Sequence, residues 1–210
     1  MNTLDKLTIY NQALTVIGVS RLIESLTESS QELRVLDLFW DSSIDQVLQE
    51  YEWNFATRYL ELTELTGVSV EGWNACYTYP SDCLKCQFIM PTFGVTNVGF
   101  GILNHYRREH KIPFDIFNID SQTVVIVTNI QNPTLVYTTR ITNLLLWNSK
   151  AITALKYYLA SQAAAPLAAA IEYAERVGVA YQNAILNAGS DNNNESYARQ
   201  EESEFILARR

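Results

Sequence analysis

In the stretch SSQELRVLDLFWDSSIDQVLQEY, Ser29–Tyr51, the large residues Leu33, Leu36, Trp40, Ile44, Val47, Leu48 and Tyr51 recur every three or four positions. A helix turns once in about 3.6 residues, so this spacing lays them along one face. Ser29-Ser30-Gln31-Glu32 has the form of a capping box, in which a serine and a glutamate three residues on satisfy each other's open backbone donors. The stretch predicts one long amphipathic helix from about 29 to 51. A helix with one apolar face must bury it, so its partners have to come from elsewhere in the chain.

Toward the N-terminus, Asn2 or Thr3 is placed to cap a helix with Asp5 in its first turn. Leu7, Tyr10, Leu14 and Ile17 fall near helical spacing, and Gly18 is placed to close the helix. Toward the C-terminus the character changes over residues 62–142, which hold four of the five prolines and most of the glycines. Short β-branched and aromatic runs, Trp73–Tyr79, Leu84–Met90, Thr123–Thr128 and Thr134–Ile141, alternate there with turn residues such as Pro80-Ser81-Asp82 and Gln131-Asn132-Pro133. Hairpins are expected. Helical spacing returns from Leu144 to about Ala165, until Pro166 breaks, kinks or restarts the helix. An alanine-rich stretch follows. The run Gly189-Ser190-Asp191-Asn192-Asn193-Asn194 is expected to be a flexible polar break. The expected class is α+β. An antiparallel helical bundle comes from residues 1–61 and 143–188, a small β-rich lobe is inserted over 62–142, and 189–210 forms a flexible C-terminal arm.

A chain of 210 residues can bury about 70% of its unfolded surface, enough for a core without staples. No apolar run approaches the ~20 residues of a membrane span. The opening MNTLDKLTIYNQAL lacks the basic-then-apolar pattern of a signal peptide, so folding in a cytosol with reduced thiols is expected. The net charge of −8 is uneven, with 11 acids and 4 bases in residues 1–65. That balance speaks against tight reading of nucleic acid, which calls for a basic patch. Arg107, Arg108, His110 and Lys111 form the one dense basic spot, which reads more readily as a solvated strand or turn than as a contact for phosphate or an acidic protein surface.

Chemistry-bearing motifs are sparse. The chain has no G-x-S-x-G, no G-x-x-x-x-G-K and no H-E-x-x-H, and no spacing singles out a carboxylate pair. Cys76, Cys83 and Cys86, with His105 and His110, make a Cys3His zinc set arithmetically possible. Strand alternation, however, is expected to send Cys83 and Cys86 to opposite faces, because their separation is odd. No helix follows the pair as a thioredoxin-like motif requires. Ordinary reduced thiols are expected, with no metal, no cofactor and no catalytic residue. The alternatives left open are another binding module, such as a zinc-binding interaction domain, and a hydrolase of cell-surface polymer.

The order of segments is more informative. NQALTVIGVSRLIESLTESS (residues 11–30), YEWNFATRYLEL (51–62), YTYPSDCLK (77–85), VVIVTNIQNPTLVYTTRIT (124–142) and LASQAAAPLA (159–168) occur in that sequence. Together they resemble the tail tubular protein A family, the head-to-tail adaptors of short-tailed bacteriophages. The matching patterns are N-x-A-L-x-x-I-G, W-x-F-A-x-R-x-x-L, Y-x-Y-P-x-D-C-L, a late hairpin leading into a Trp-containing helix at Trp147, and an L-A-rich helix break.

The resemblance implies a structural virion protein rather than an enzyme. It implies a ring, a dodecamer in that family, seated on the portal protein and joined to the tail nozzle protein at the virion neck. Double-stranded DNA passes through during ejection without sequence-specific binding. Synthesis would be in the host cytoplasm, with no membrane partner. Trp53, Phe55, Arg58, Tyr77, Tyr79, Pro80, Asp82 and Trp147 are the expected fold anchors. Tyr197, Arg199, Phe205, Ile206 and Leu207 of the C-terminal arm are the expected portal interface.

Overall fold

Asp5 opens the first helix, α1 (Lys6–Val16), in a computed structural model that describes residues 5–92, 111–167 and 171–195. Its carboxylate accepts the Thr8 amide at 2.8 Å, so the cap is Asp5 itself, not Asn2 or Thr3. A carboxylate is favoured there because it meets both an open amide and the positive end of the helix dipole. The helix closes in a Schellman turn. Gly18 has φ +78°, its amide donates to the Thr15 carbonyl at 3.2 Å, and the Val19 amide donates to Leu14 at 3.0 Å. A Cβ on Gly18 would also stand 3.2 Å from the Tyr173 ring. Gly18→Ala is therefore expected to lower the unfolding free energy by about 1–2 kcal/mol, read from urea midpoints.

Helix α2 (Gln31–Glu50) is capped by Ser30, whose hydroxyl accepts the Leu33 amide at 3.2 Å. The expected box is thus displaced by one residue. Leu33, which is buried, takes the third helical position, and Glu32 turns to Arg21 at 3.8 Å instead. Leu33, Leu36, Ile44, Val47 and Leu48 are buried along the stripe, while Trp40 and Tyr51 are partly covered.

After a 3-10 turn over Leu144–Leu146, helix α3 spans Ser149–Ala164. It starts beyond Trp147, not at Leu144, because the Asn148 side chain accepts the Ala151 amide at 2.8 Å and fixes the boundary. Helix α3 packs against both α1 and α2. Ala151, Ala154, Ala160, Ala163 and Ala164 are all buried on it, small side chains that permit close helix approach. Helix α4 (Ile171–Glu195) buries Val177, Ala184 and Ala188, and its Tyr181 ring meets Tyr158 of α3 at 5.1 Å. It runs on through residues 189–194, where a flexible break was expected. Each poor helix former costs up to about 1 kcal/mol, but extending a formed helix needs no new nucleus.

Among the described residues the strands are β1 (Thr57–Glu61), β2 (Ala75–Thr78), β3 (Cys83–Pro91), β4 (Phe114–Asn118), β5 (Val124–Thr128) and β6 (Pro133–Thr139). They form two small antiparallel sheets, ordered β1-β6-β3 and β2-β5-β4. β1 falls in residues expected to be helical bundle, and β4 had no expected counterpart. β4 and β5 form a hairpin with Ile116 opposite Ile126, and the Asp120 carboxylate accepts the Gln122 and Thr123 amides at its turn. The 124–142 segment is not a hairpin. Asn132 takes a left-handed φ of 48°, and the chain leaves one sheet for the other, with the Pro133 carbonyl accepting the Leu62 amide at 2.9 Å. Pro133 has no amide to offer, which suits the first residue of a strand.

Alternation builds the β core. Tyr77 and Ile126 face inward and meet Leu62, Ile89, Leu135 and Tyr137 from the other sheet and its margin in one buried cluster. Cys76, Val125 and Val127 face the opposite way, under Leu65, Val68, Val70 and Trp73 of the β1–β2 connection. The chain divides into two compact units. The helical one takes Met1–Thr57 and Thr138–Asp191, and the β one is built on Arg58–Tyr137. The structure is α+β.

Candidate functional site

The segment after α2 carries the first group of expected anchors. Trp53 is fully buried, and its indole N–H donates to the Val47 carbonyl at 2.8 Å. Val47 lies in the last turn of α2, whose carbonyls have no partner within the helix. The Phe55 ring lies between Trp53 at 5.7 Å and Trp147 at 5.6 Å, and Tyr51 meets Trp53 edge-on at 5.1 Å. Trp147 donates its indole N–H to the Ile141 carbonyl at 3.1 Å. These four rings form one aromatic run in the helical unit.

The second group lies in the β unit. Arg58 Nη1 donates to Asp82 Oδ2 at 2.9 Å, and the Tyr137 hydroxyl donates to Asp82 Oδ1 at 3.0 Å. Arg58 and Asp82 come from separate motif segments and meet 24 residues apart in sequence. Tyr77, fully buried, donates its hydroxyl to the Ile130 carbonyl at 2.9 Å, and Tyr79 packs against the same cluster. The buried Pro80 begins a tight turn in which its carbonyl accepts the Cys83 amide at 3.1 Å. Tyr137 carried no expected role. Its position opposite a motif aspartate is a cross-sheet matter that spacing along the chain does not encode.

The cysteines overturn one expectation. Cys83 and Cys86 do not point to opposite faces: their sulfurs stand 3.7 Å apart, and both side chains contact the Tyr77–Ile126 cluster. Alternation fails because Cys83 closes the Pro80 turn and only begins the ladder of β3. A hydrogen bond from the Cys86 thiol brings the Cys83 thiol down to about 7 against the opposing effect of burial, with further help from the Tyr79 hydroxyl. The same contact, together with burial, pushes Cys86 up. All three cysteines are free thiols, and Cys76 is buried on the other face of its sheet. Among the described residues no three His, Cys, Asp or Glu side chains converge as a metal set.

The acidity of α2 is largely engaged. Asp37, Asp41 and Asp45 stand four residues apart along the helix. Arg140 contacts Asp45 at 2.6 Å and Asp41 at 3.0 Å, while Lys6 contacts Asp37 at 2.6 Å. The buried Tyr10 also donates its hydroxyl to Asp37 at 2.7 Å. Burial works to raise the Asp37 carboxyl, but the hydrogen bonds from Lys6 and Tyr10 outweigh it and hold it below its ordinary value. A depressed carboxyl contributes stability that is present above the unfolded carboxylate range and is lost as pH falls through the folded value. Melting scans from neutral pH downward should therefore show a loss below about pH 4 that Asp37→Asn reduces, by about 1 kcal/mol for so exposed a pair.

Several expected site residues lie outside the described residues: Tyr197, Arg199, Phe205, Ile206 and Leu207, and also His105, Arg107, Arg108 and His110. Lys111 is exposed. Large apolar side chains stand exposed in both units, among them Leu38, Leu145, Leu146 and Leu186 in the helical one and Tyr59, Ile116, Phe117 and Ile119 in the β one. Among the described residues no helix is long and apolar enough to cross a membrane. No protein-family model matches the chain, and no curated protein matches it.

Proposed function

We propose that this chain is a structural adaptor of a short-tailed bacteriophage, assembling as a ring between the portal and the tail nozzle and letting DNA pass. The observation that carries the reading is the Arg58–Asp82–Tyr137 contact. The W-x-F-A-x-R and Y-x-Y-P-x-D-C-L segments, two of those that carry the resemblance, meet through Arg58 and Asp82 in the β unit, while Trp53 and Phe55 belong to the helical one. In this reading α1, α2, α3 and α4 form the antiparallel bundle, the β unit is the inserted lobe, and the subunit performs no bond-making.

A rotational ring needs two different faces on each subunit, because its interface is heterologous. Exposed leucines on the helical unit and exposed Ile and Phe on the β4–β5 hairpin offer an apolar surface on each unit. DNA in transit must not adhere, and acidic residues near the channel serve that end by like-charge repulsion. Asp37, Asp41 and Asp45 are already engaged by Lys6 and Arg140. The repulsive role then falls to exposed acids such as Glu24, Glu61 and Glu64.

The test is assembly on purified portal rings of short-tailed phages, followed by electron microscopy. A closed ring of this chain seated beneath the portal is the expected image, and portals left bare under all conditions would end the proposal. Light scattering of the protein alone should show mainly monomer, since the ring forms on its template. A stable ring without portal would contradict that part.

A further inference from the structure

The geometry points to a two-thiolate binding site for a thiophilic ion of the zinc–cadmium class at Cys83 and Cys86. The sulfur separation of 3.7 Å is the central observation. Two thiolates on one tetrahedral ion with metal–sulfur bonds of about 2.3 Å stand about 3.8 Å apart, the edge of the tetrahedron. The pair already has that spacing, so an ion seats without moving the strand. A disulfide needs the sulfurs at about 2.05 Å and would have to draw them together by more than ~1.5 Å against the pairing of β3.

The surroundings suit soft-ion chemistry. Both cysteines are half-buried, so an ion can reach them while the apolar cluster on their inner side limits competing water. Thiolate ligands favour zinc and its heavier congeners over magnesium or calcium. Among the described residues no third His, Cys, Asp or Glu joins the pair, so water or a ligand from another molecule completes the coordination. This site does not depend on the adaptor reading, and either can fail without the other.

Cadmium chloride titrated into the reduced full-length protein, with magnesium in excess, is the direct probe. A thiolate-to-cadmium absorption band should grow and saturate at or below one ion per chain at micromolar cadmium. It should be lost in Cys83→Ser and in Cys86→Ser, and retained in Cys76→Ser. A readout independent of the variants is iodoacetamide labelling with and without cadmium. Tryptic cleavage after Lys85 separates the two thiols, and cadmium should slow labelling of both together. A band that survives either substitution at the pair, uptake only at millimolar cadmium, or labelling rates that cadmium leaves unchanged would overturn the assignment.

Discussion

Trp53→Ala is expected to lower the unfolding free energy by about 3–5 kcal/mol, the cost of deleting a large buried aromatic and leaving a cavity. A domain of this size is stable by about 5–15 kcal/mol, so this one change removes a large share of the total. Three losses coincide. The ring is fully buried, so its apolar surface and packing vanish together. Its edge and face contacts with Tyr51 and Phe55, at 5.1 and 5.7 Å, disappear. The Val47 carbonyl, left open by the end of α2, loses the indole N–H that satisfies it at 2.8 Å. Trp53→Phe separates these effects: it keeps a ring and forfeits the hydrogen bond, and should cost about 1–2 kcal/mol. Leu38→Ala is the control, because Leu38 in α2 is 74% exposed and should move the urea midpoint hardly at all. A Trp53→Ala midpoint as mild as that of Leu38→Ala would mean that this indole does not anchor the end of α2.

The sequence shows some of this fold clearly and conceals the rest for identifiable reasons. Helix α2 is legible because its periodicity extends over 20 residues, and the turn at Gly18 is legible because a left-handed position favours glycine. β1 is concealed because TRYLE follows a helix and a 3-10 turn with no intervening turn signal. β4 is concealed because most of FDIFN is exposed and lacks an alternation to detect. The Asn132-Pro133 step signals a turn but cannot say which sheet receives the next strand, so a crossover resembles a hairpin. The thiol pair is concealed because alternation holds only inside a ladder, and Cys83 stands at its edge. For the candidate site, the Arg58 and Asp82 segments are legible only through the resemblance. That the two side chains pair, with Tyr137 as a third member, is a property of the folded chain.

For the proposed adaptor, removal of residues 196–210 is expected to abolish capture by the portal while leaving the melting temperature of the free protein unchanged. The cut belongs there because α4 continues to Glu195, so an earlier one at residue 190 would remove helix together with tail. The deleted segment carries Tyr197, Phe205, Ile206 and Leu207 among charges, too few apolar groups in too short a stretch to sustain a core of its own. Such a segment gains most from burial against another surface, where each large apolar side chain contributes about 1.5–3 kcal/mol. Loss of Phe205, Ile206 and Leu207 alone then removes at least ~4 kcal/mol, roughly a thousandfold in affinity. The triple alanine variant at those three positions should therefore reproduce the deletion without shortening the chain, and Arg199→Ala should weaken binding less. A truncated chain that still seats on the portal would place the interface elsewhere, and the exposed Leu145 and Leu146, 72% and 58% exposed in the turn before α3, would be the next surface to substitute.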